Sequence, residues 1–179
     1  MTSPLVLHAA PGAGFDQPFE MLLACHERVE RMLGLLERLA LHLVQHGCTP
    51  DAAQAARDVM RYFDIAGPAH HEDEELHLFP ALGATGDPAL TALVARLQQD
   101  HRAMSAGWSA VRGDLLAVAA SQLPGLADAR GARWSAFAGL YRDHIAAEEA
   151  QAYPAARTLI DEPALASMGQ EMSRRRGAR

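Results

Sequence analysis

Apolar positions recur every three to four residues along four long stretches of this chain, the period of a helix that turns one face to a core. In the first stretch Phe19, Leu22, Leu23, Met32, Leu36, Leu39 and Leu43 run to a stop at Gly47, with Asp16 placed to cap the start and Pro18 in the first turn. The pattern predicts a helix over about 17–46. Thr49-Pro50-Asp51 opens a second helix that carries Val59, Met60 and Phe63 and then meets Gly67-Pro68, where proline removes a hydrogen bond and bends the chain. A third is expected over about 87–119. A fourth should follow Leu123-Pro124-Gly125 from about 126 to Tyr153, with Pro154 at a turn or kink. Residues 1–15 hold Pro4, Pro11, Gly12 and Gly14 without a helical period and read as a flexible N-terminal arm, in which His8 is a bystander. Long helices joined by short loops predict an all-α fold, an antiparallel up-down-up-down four-helix bundle over 16–160, followed by a basic C-terminal tail over 161–179.

Composition narrows this picture. At 179 residues the chain is long enough for one good core and is most simply one domain. Ala and Leu dominate and aromatic residues make up only 6%, which favours helix over sheet. A formal net charge of −6 argues against a nucleic-acid partner. Arg174, Arg175, Arg176 and Arg179 run against that balance and read as a solvated, frayed tail. No signal peptide or membrane span is evident, and Cys25 and Cys48 are lone thiols with no CxxC spacing, so a cytoplasmic protein, monomer or homodimer, is expected.

The candidate chemistry lies in a repeat. HHEDEELHLFP at residues 70–80 and DHIAAEEAQAYP at residues 143–154 share the frame HxxxEExxx[L/A][F/Y]P. Side chains four apart on a helix lie one above the other, so His70 with Glu74, and His144 with Glu148, each present an imidazole and a carboxylate together. His71 and Glu75 form a second HxxxE rotated by about 100°; alignment with the other copy, where Ile145 follows His144, selects His70 and Glu74. His71, Glu72, Asp73, Glu75, His77 and Glu149 then read as surrounding or surface groups, and His42 and His46 as solvent-facing. The first helix adds His26 and the third His101, so every helix supplies at least one donor.

Four imidazoles and two carboxylates suit two divalent metals bridged by both carboxylates. The set lacks the thiolates typical of structural zinc and favours iron, with Mn or Zn as substitutes. Without a cation the two buried carboxylates would be costly to ionise.

A helix-A histidine, HHxxEExxLFP, a helix-C Asp-His and HxxxEExxxYP together resemble the hemerythrin-like HHE cation-binding proteins, over about residues 17–155. The resemblance implies an up-down-up-down bundle around a non-haem di-iron centre with an oxo or hydroxo bridge, and assigns His26, His70, Glu74, His101, His144 and Glu148 as its ligands. It further implies a small diatomic or peroxide ligand and an electron donor as partners. Where oxygen-carrying hemerythrins have a second histidine four residues along the third helix, this chain has Ser105. Loss of that imidazole leaves the irons more open, favouring sensing or redox chemistry over oxygen storage. Alternatives are peroxidase, catalase-like or NO-reducing turnover, and an iron-centre repair role. In ligand set the chain is similar to the repair proteins, whose N-terminal cysteine-bearing domain has no counterpart in residues 1–24.

Glu30, four residues after His26, is a candidate for the place opposite Ser105, as an extra ligand, gate or proton relay; its neighbours Glu27, Arg28 and Arg31 instead suggest a solvated face. Phe63, Met104, Trp108 and Tyr141 lie at helical spacings from the histidines. Packing accounts for all four, with Tyr141 the phenol placed to serve an iron-bound oxygen.

Overall fold

A computed structural model describes residues 14–123, 126 and 128–177, so His8 and most of the proposed arm, Pro124, Gly125 and Arg179 lie outside the described residues. Within them the chain forms α1 (Pro18–His46), α2 (Pro50–Phe63), α3 (Ala66–Asp73), α4 (Phe79–Gly83), α5 (Pro88–Ala119), α6 (Asp128–Ala147), α7 (Tyr153–Leu159) and α8 (Glu162–Arg175), with no strand. No helix among them is long and apolar enough to cross a membrane.

Several starts use a polar cap followed by proline, which spends one of the N–H groups that a first turn cannot satisfy. Thr49 accepts from Ala52 N–H at the head of α2, Asp87 from Ala89 N–H at α5 and Asp161 from Ala164 N–H at α8. At α1 the cap position falls on Gln17, which makes no side-chain cap, rather than on Asp16. Gly47 ends α1 with a positive φ of 70° while its N–H reaches Leu43 O. The bend foreseen at Gly67-Pro68 falls slightly earlier, at a turn over Asp64 and Ile65, and Pro68 sits in the first turn of α3, where its missing N–H costs least.

Two π-helical turns interrupt the bundle, Glu74–Leu78 between α3 and α4 and Glu148–Ala152 between α6 and α7. Each begins on a glutamate of the repeat and precedes its Phe-Pro or Tyr-Pro end. An α-helix carried through Pro80 or Pro154 would press the ring against the carbonyl of Leu76 or Ala150 and leave that carbonyl without its N–H. Widening the turn avoids this: Phe79 N–H bonds Glu74 O and Tyr153 N–H bonds Glu148 O. The proline of each copy thus explains the irregular turn that its glutamate opens.

The helices close a four-membered ring, α1 against α2 and α6, and α5 against α2 and α6. Its interior divides into two apolar clusters. Val29, Leu33, Leu36, Val59, Phe63, Met104, Leu115, Phe137 and Ile145 belong to one, and Phe19, Leu22, Leu78, Phe79, Leu97, Tyr153, Met168 and Met172 to the other. His26, His70, Glu74, His101, His144 and Glu148, all buried, occupy the level between them.

Residues 162–175 are not a frayed tail but the helix α8, docked on α1. Met168 and Met172 are buried in the second cluster. Gly169 permits the approach, because a Cβ there would lie 1.8 Å from Phe15 O. Arg175 and Arg176 are ion-paired rather than free. We predict that Gly169→Ala destabilises the fold by about 1–3 kcal/mol through displacement of α8. Gly113→Ala, on an open helical face, should stabilise it by about 0.5–1 kcal/mol; equal denaturant midpoints for the two variants would refute this packing.

Candidate metal centre

The six expected residues converge. Their Nε2 atoms point inward, His26 and His70 with theirs 3.1 Å apart, His101 and His144 likewise 3.1 Å apart. Between the two imidazole pairs lie the carboxylates. Glu74 turns Oε1 to His70 at 3.4 Å and Oε2 to His101 at 3.4 Å, while Glu148 turns Oε2 to His26 at 3.2 Å and Oε1 to His144 at 2.9 Å. Two donor groups result, His26, His70, Glu74 and Glu148 in one and Glu74, His101, His144 and Glu148 in the other, each with its ligand atoms within 4.8 Å of one another. Both carboxylates therefore belong to both groups.

Outer carboxylates hold the rings. Glu149 accepts from His26 Nδ1 at 2.9 Å, Glu75 from His101 Nδ1 at 2.8 Å, and Asp100 from His144 Nδ1 at 3.3 Å. Such a bond fixes the tautomer that leaves the Nε2 lone pair facing inward, the form a cation needs. Aromatic rings pack behind: Phe79 stacks on His101 and Tyr153 on His26. The Tyr153 hydroxyl donates to Glu74 Oε1 at 2.5 Å and lies 3.1 Å from His26 Nε2.

The electrostatics describe a layer short of positive charge. Burial drives the His70 imidazole down to about 3 and lowers His144, so both are neutral near pH 7. Burial also opposes the charged form of His26, but Glu148, Glu74 and Glu149 outweigh it and raise that group. Burial, with the charge of Glu74, pushes Glu148 well above the carboxylate range; against the same cost of burial, His70 and His101 hold Glu74 well below it. Glu74 Oε2 and both Glu148 oxygens are buried without a hydrogen-bond partner, an expensive state that cations at the two donor groups would relieve. The donors present fit a pair of metal ions.

Not every expectation survives. Glu30 is exposed on α1 beside Glu27 and Arg31 and lines a surface groove, because its position faces away from the bundle axis. Tyr141 is buried, but it packs on Phe63, Phe137 and the outer ring of His71 rather than on the six donors. Phe63 and Met104 are core. Trp108 packs against that core and donates to Asp64. Cys25, next to His26, is buried and its thiol is pushed up by burial. His42 is half-buried against Thr49, and His46 is exposed.

Two contributors are new. Tyr153 was legible only as the aromatic position of the repeat frame. Asp73, read as a surrounding or surface group, is fully buried and bonded to Arg175 at 2.9 Å and to Arg176. Arg176 also donates to Ala69 O, and Arg175 to Glu171, which in turn pairs with His77 at 2.8 Å. α8 and Arg176 just after it thus grip the segment carrying His70 and Glu74 at Ala69, Glu72, Asp73 and His77.

An all-α bundle with paired buried carboxylates shared between two imidazole pairs defines a cation-binding helical bundle. The chain belongs to the hemerythrin HHE cation-binding domain family, whose sequence model matches residues 17–156. It is also similar to an uncharacterized protein of Haemophilus influenzae, 31% identical over 171 residues, covering 96% of each chain.

Hydrogen bonds from Arg175 and His77 hold the Glu171 carboxyl down at about 2, against 4.5 ordinarily. A depressed folded value means this contribution is complete above pH 4.5 and fades as pH falls toward 2. For a partly exposed pair it should amount to about 0.2–1 kcal/mol. Glu171→Gln should flatten stability against pH across that window while matching wild type below it; an unchanged acid limb of the curve would refute the assignment.

Proposed function

We propose that this protein holds two iron ions in the His26, His70, Glu74, His101, His144 and Glu148 cage and uses them to bind or sense O2, NO, peroxide or iron itself, in the cytoplasm. The observation that carries this reading is that each inner carboxylate presents one oxygen to each imidazole pair. An imidazole and carboxylate set without thiolate suits iron or manganese better than structural zinc. Two adjacent irons would supply reversible binding of a small oxidant or its two-electron reduction.

The chain's own residues would do the rest. His70 and His144, kept neutral by burial, offer lone pairs without first losing a proton. Glu149, Glu75 and Asp100 orient three of the rings, and the two apolar clusters exclude bulk water from the layer. Tyr153 donates a short hydrogen bond to Glu74 beside His26. That buried phenol supports a second reading, a di-iron oxidoreductase with peroxidase, catalase-like or NO-reducing turnover fed by an electron donor. Iron-centre repair would draw on the same cage. Sustained turnover with a reductant, against stoichiometric uptake, separates the enzyme from the binder or sensor.

Anaerobically loaded protein should carry about two irons per chain, one for each donor group. Oxo-bridge absorption should appear in air and be absent from His70→Ala. Loading at a hundredfold excess over the dissociation constant should add about 2.7 kcal/mol to stability, a rise in melting temperature of about 5–10 °C. Less than one metal per chain, or a spectrum indifferent to His70→Ala, would refute the cage.

A further inference from the structure

The two donor groups differ in what lies beside them. Next to His26 and His70 stands Tyr153, 2% exposed, its hydroxyl already engaged with Glu74 and His26. Next to His101 stands His71. Its ring stacks on that of His101 with centroids 3.9 Å apart and planes within 11°, and it approaches His144 edge-on at 6.1 Å.

His71 is 9% exposed, and its Nε2 is buried without a hydrogen-bond partner. It is not among the atoms of either donor group, so it stands beside the cage rather than in it. A surface cavity of about 410 Å³ reaches this corner, lined by His71, His101, Glu72, Glu75, Arg102 and Ser105. Ser105 is exposed at its rim, at the position four residues after His101. A short serine there leaves open the space that a larger side chain on α5 would fill.

We propose that a small anionic or diatomic ligand reaches the His101 and His144 side of the centre through this cavity and is held there by a hydrogen bond with His71 Nε2. This rests on the metal-centre reading above and adds which of the two positions takes the ligand and which residue contacts it. His71 suits the role on three counts. Its polar atom is unspent, its ring is fixed against His101 and Tyr141, and its side chain lines the surface cavity. An imidazole nitrogen donates to a small anion without supplying a net charge, so selection falls on size and hydrogen-bonding capacity.

Azide is a suitable probe, titrated into the iron-loaded full chain and followed by absorbance and stopped flow, with iron per chain measured in the same samples. His71→Phe keeps the stacking ring and removes the nitrogen; it should retain wild-type iron and weaken azide about tenfold, the loss of one hydrogen bond. Ser105→Trp changes an exposed residue at the rim and should slow azide entry about tenfold or more while leaving iron content unchanged. Wild-type azide affinity in the first variant together with wild-type entry rate in the second, both fully loaded, would overturn the proposal. So would loss of iron from His71→Phe, which would make His71 a support of the cage rather than a contact of the ligand. Failure of the wild type itself to take up iron would overturn the metal-centre reading and this inference with it.

Discussion

Two carboxylates and four imidazoles share one buried level, and the rest of the structure answers to the cost of putting them there. An isolated charge in such surroundings costs several kcal/mol even after relaxation. Neighbours that could share a proton or a hydrogen bond reduce the cost only in part, since three inner carboxylate oxygens have no bond at all. Everything next to the layer is arranged to make that burial tolerable. Outer acids face three of the rings, a phenol bonds one glutamate, and two dry clusters above and below keep the donors from turning back to water. Separating the cores has a structural consequence too: α1 and α5 contribute apolar residues on both sides of a single histidine. A shift of either helix along its axis would drag apolar side chains into the polar level.

Most of this was legible because it depends on spacing. The helix starts at Pro18 and Pro50 follow from proline in the first turn, and four of the six donors follow from a repeat whose copies align without gaps, with His26 and His101 added by the other two helices. Misplaced features depend on three-dimensional neighbours. Asp73 carries no mark in the sequence that distinguishes it from the acids around it; only the arrival of two arginines a hundred residues later explains its burial. α8 was readable in principle, since Asp161, Pro163, Met168 and Met172 give a cap, a first-turn proline and an apolar spacing. The arginine cluster that closes the segment has the composition of a solvated tail and masks that pattern. Tyr141 and Tyr153 show the same limit: both lie on the last long helical stretch, and which of them meets the donors depends on the π-turn between them.

Those π-turns tie local chemistry to placement. A proline six residues after each inner glutamate makes a regular helix unworkable, and the widened turn re-aims the helix beyond it. Phe79 and Tyr153 consequently come back against His101 and His26 on the neighbouring helices.

The two halves of the centre are related by an approximate twofold axis. It exchanges His70, Glu74, Glu75 and Phe79 with His144, Glu148, Glu149 and Tyr153, and His101 with His26. Glu75 bonds His101 as Glu149 bonds His26, and Phe79 stacks on the first as Tyr153 does on the second. Were the axis obeyed throughout, the halves would be chemically interchangeable and could only act alike. It is broken beside the donors by the single oxygen that separates Tyr153 from Phe79, by His71 where the other copy has Ile145, and by Asp100, which holds His144 while His70 Nδ1 has no such partner. A handful of atoms thus gives a near-symmetric bundle a distinguishable front and back.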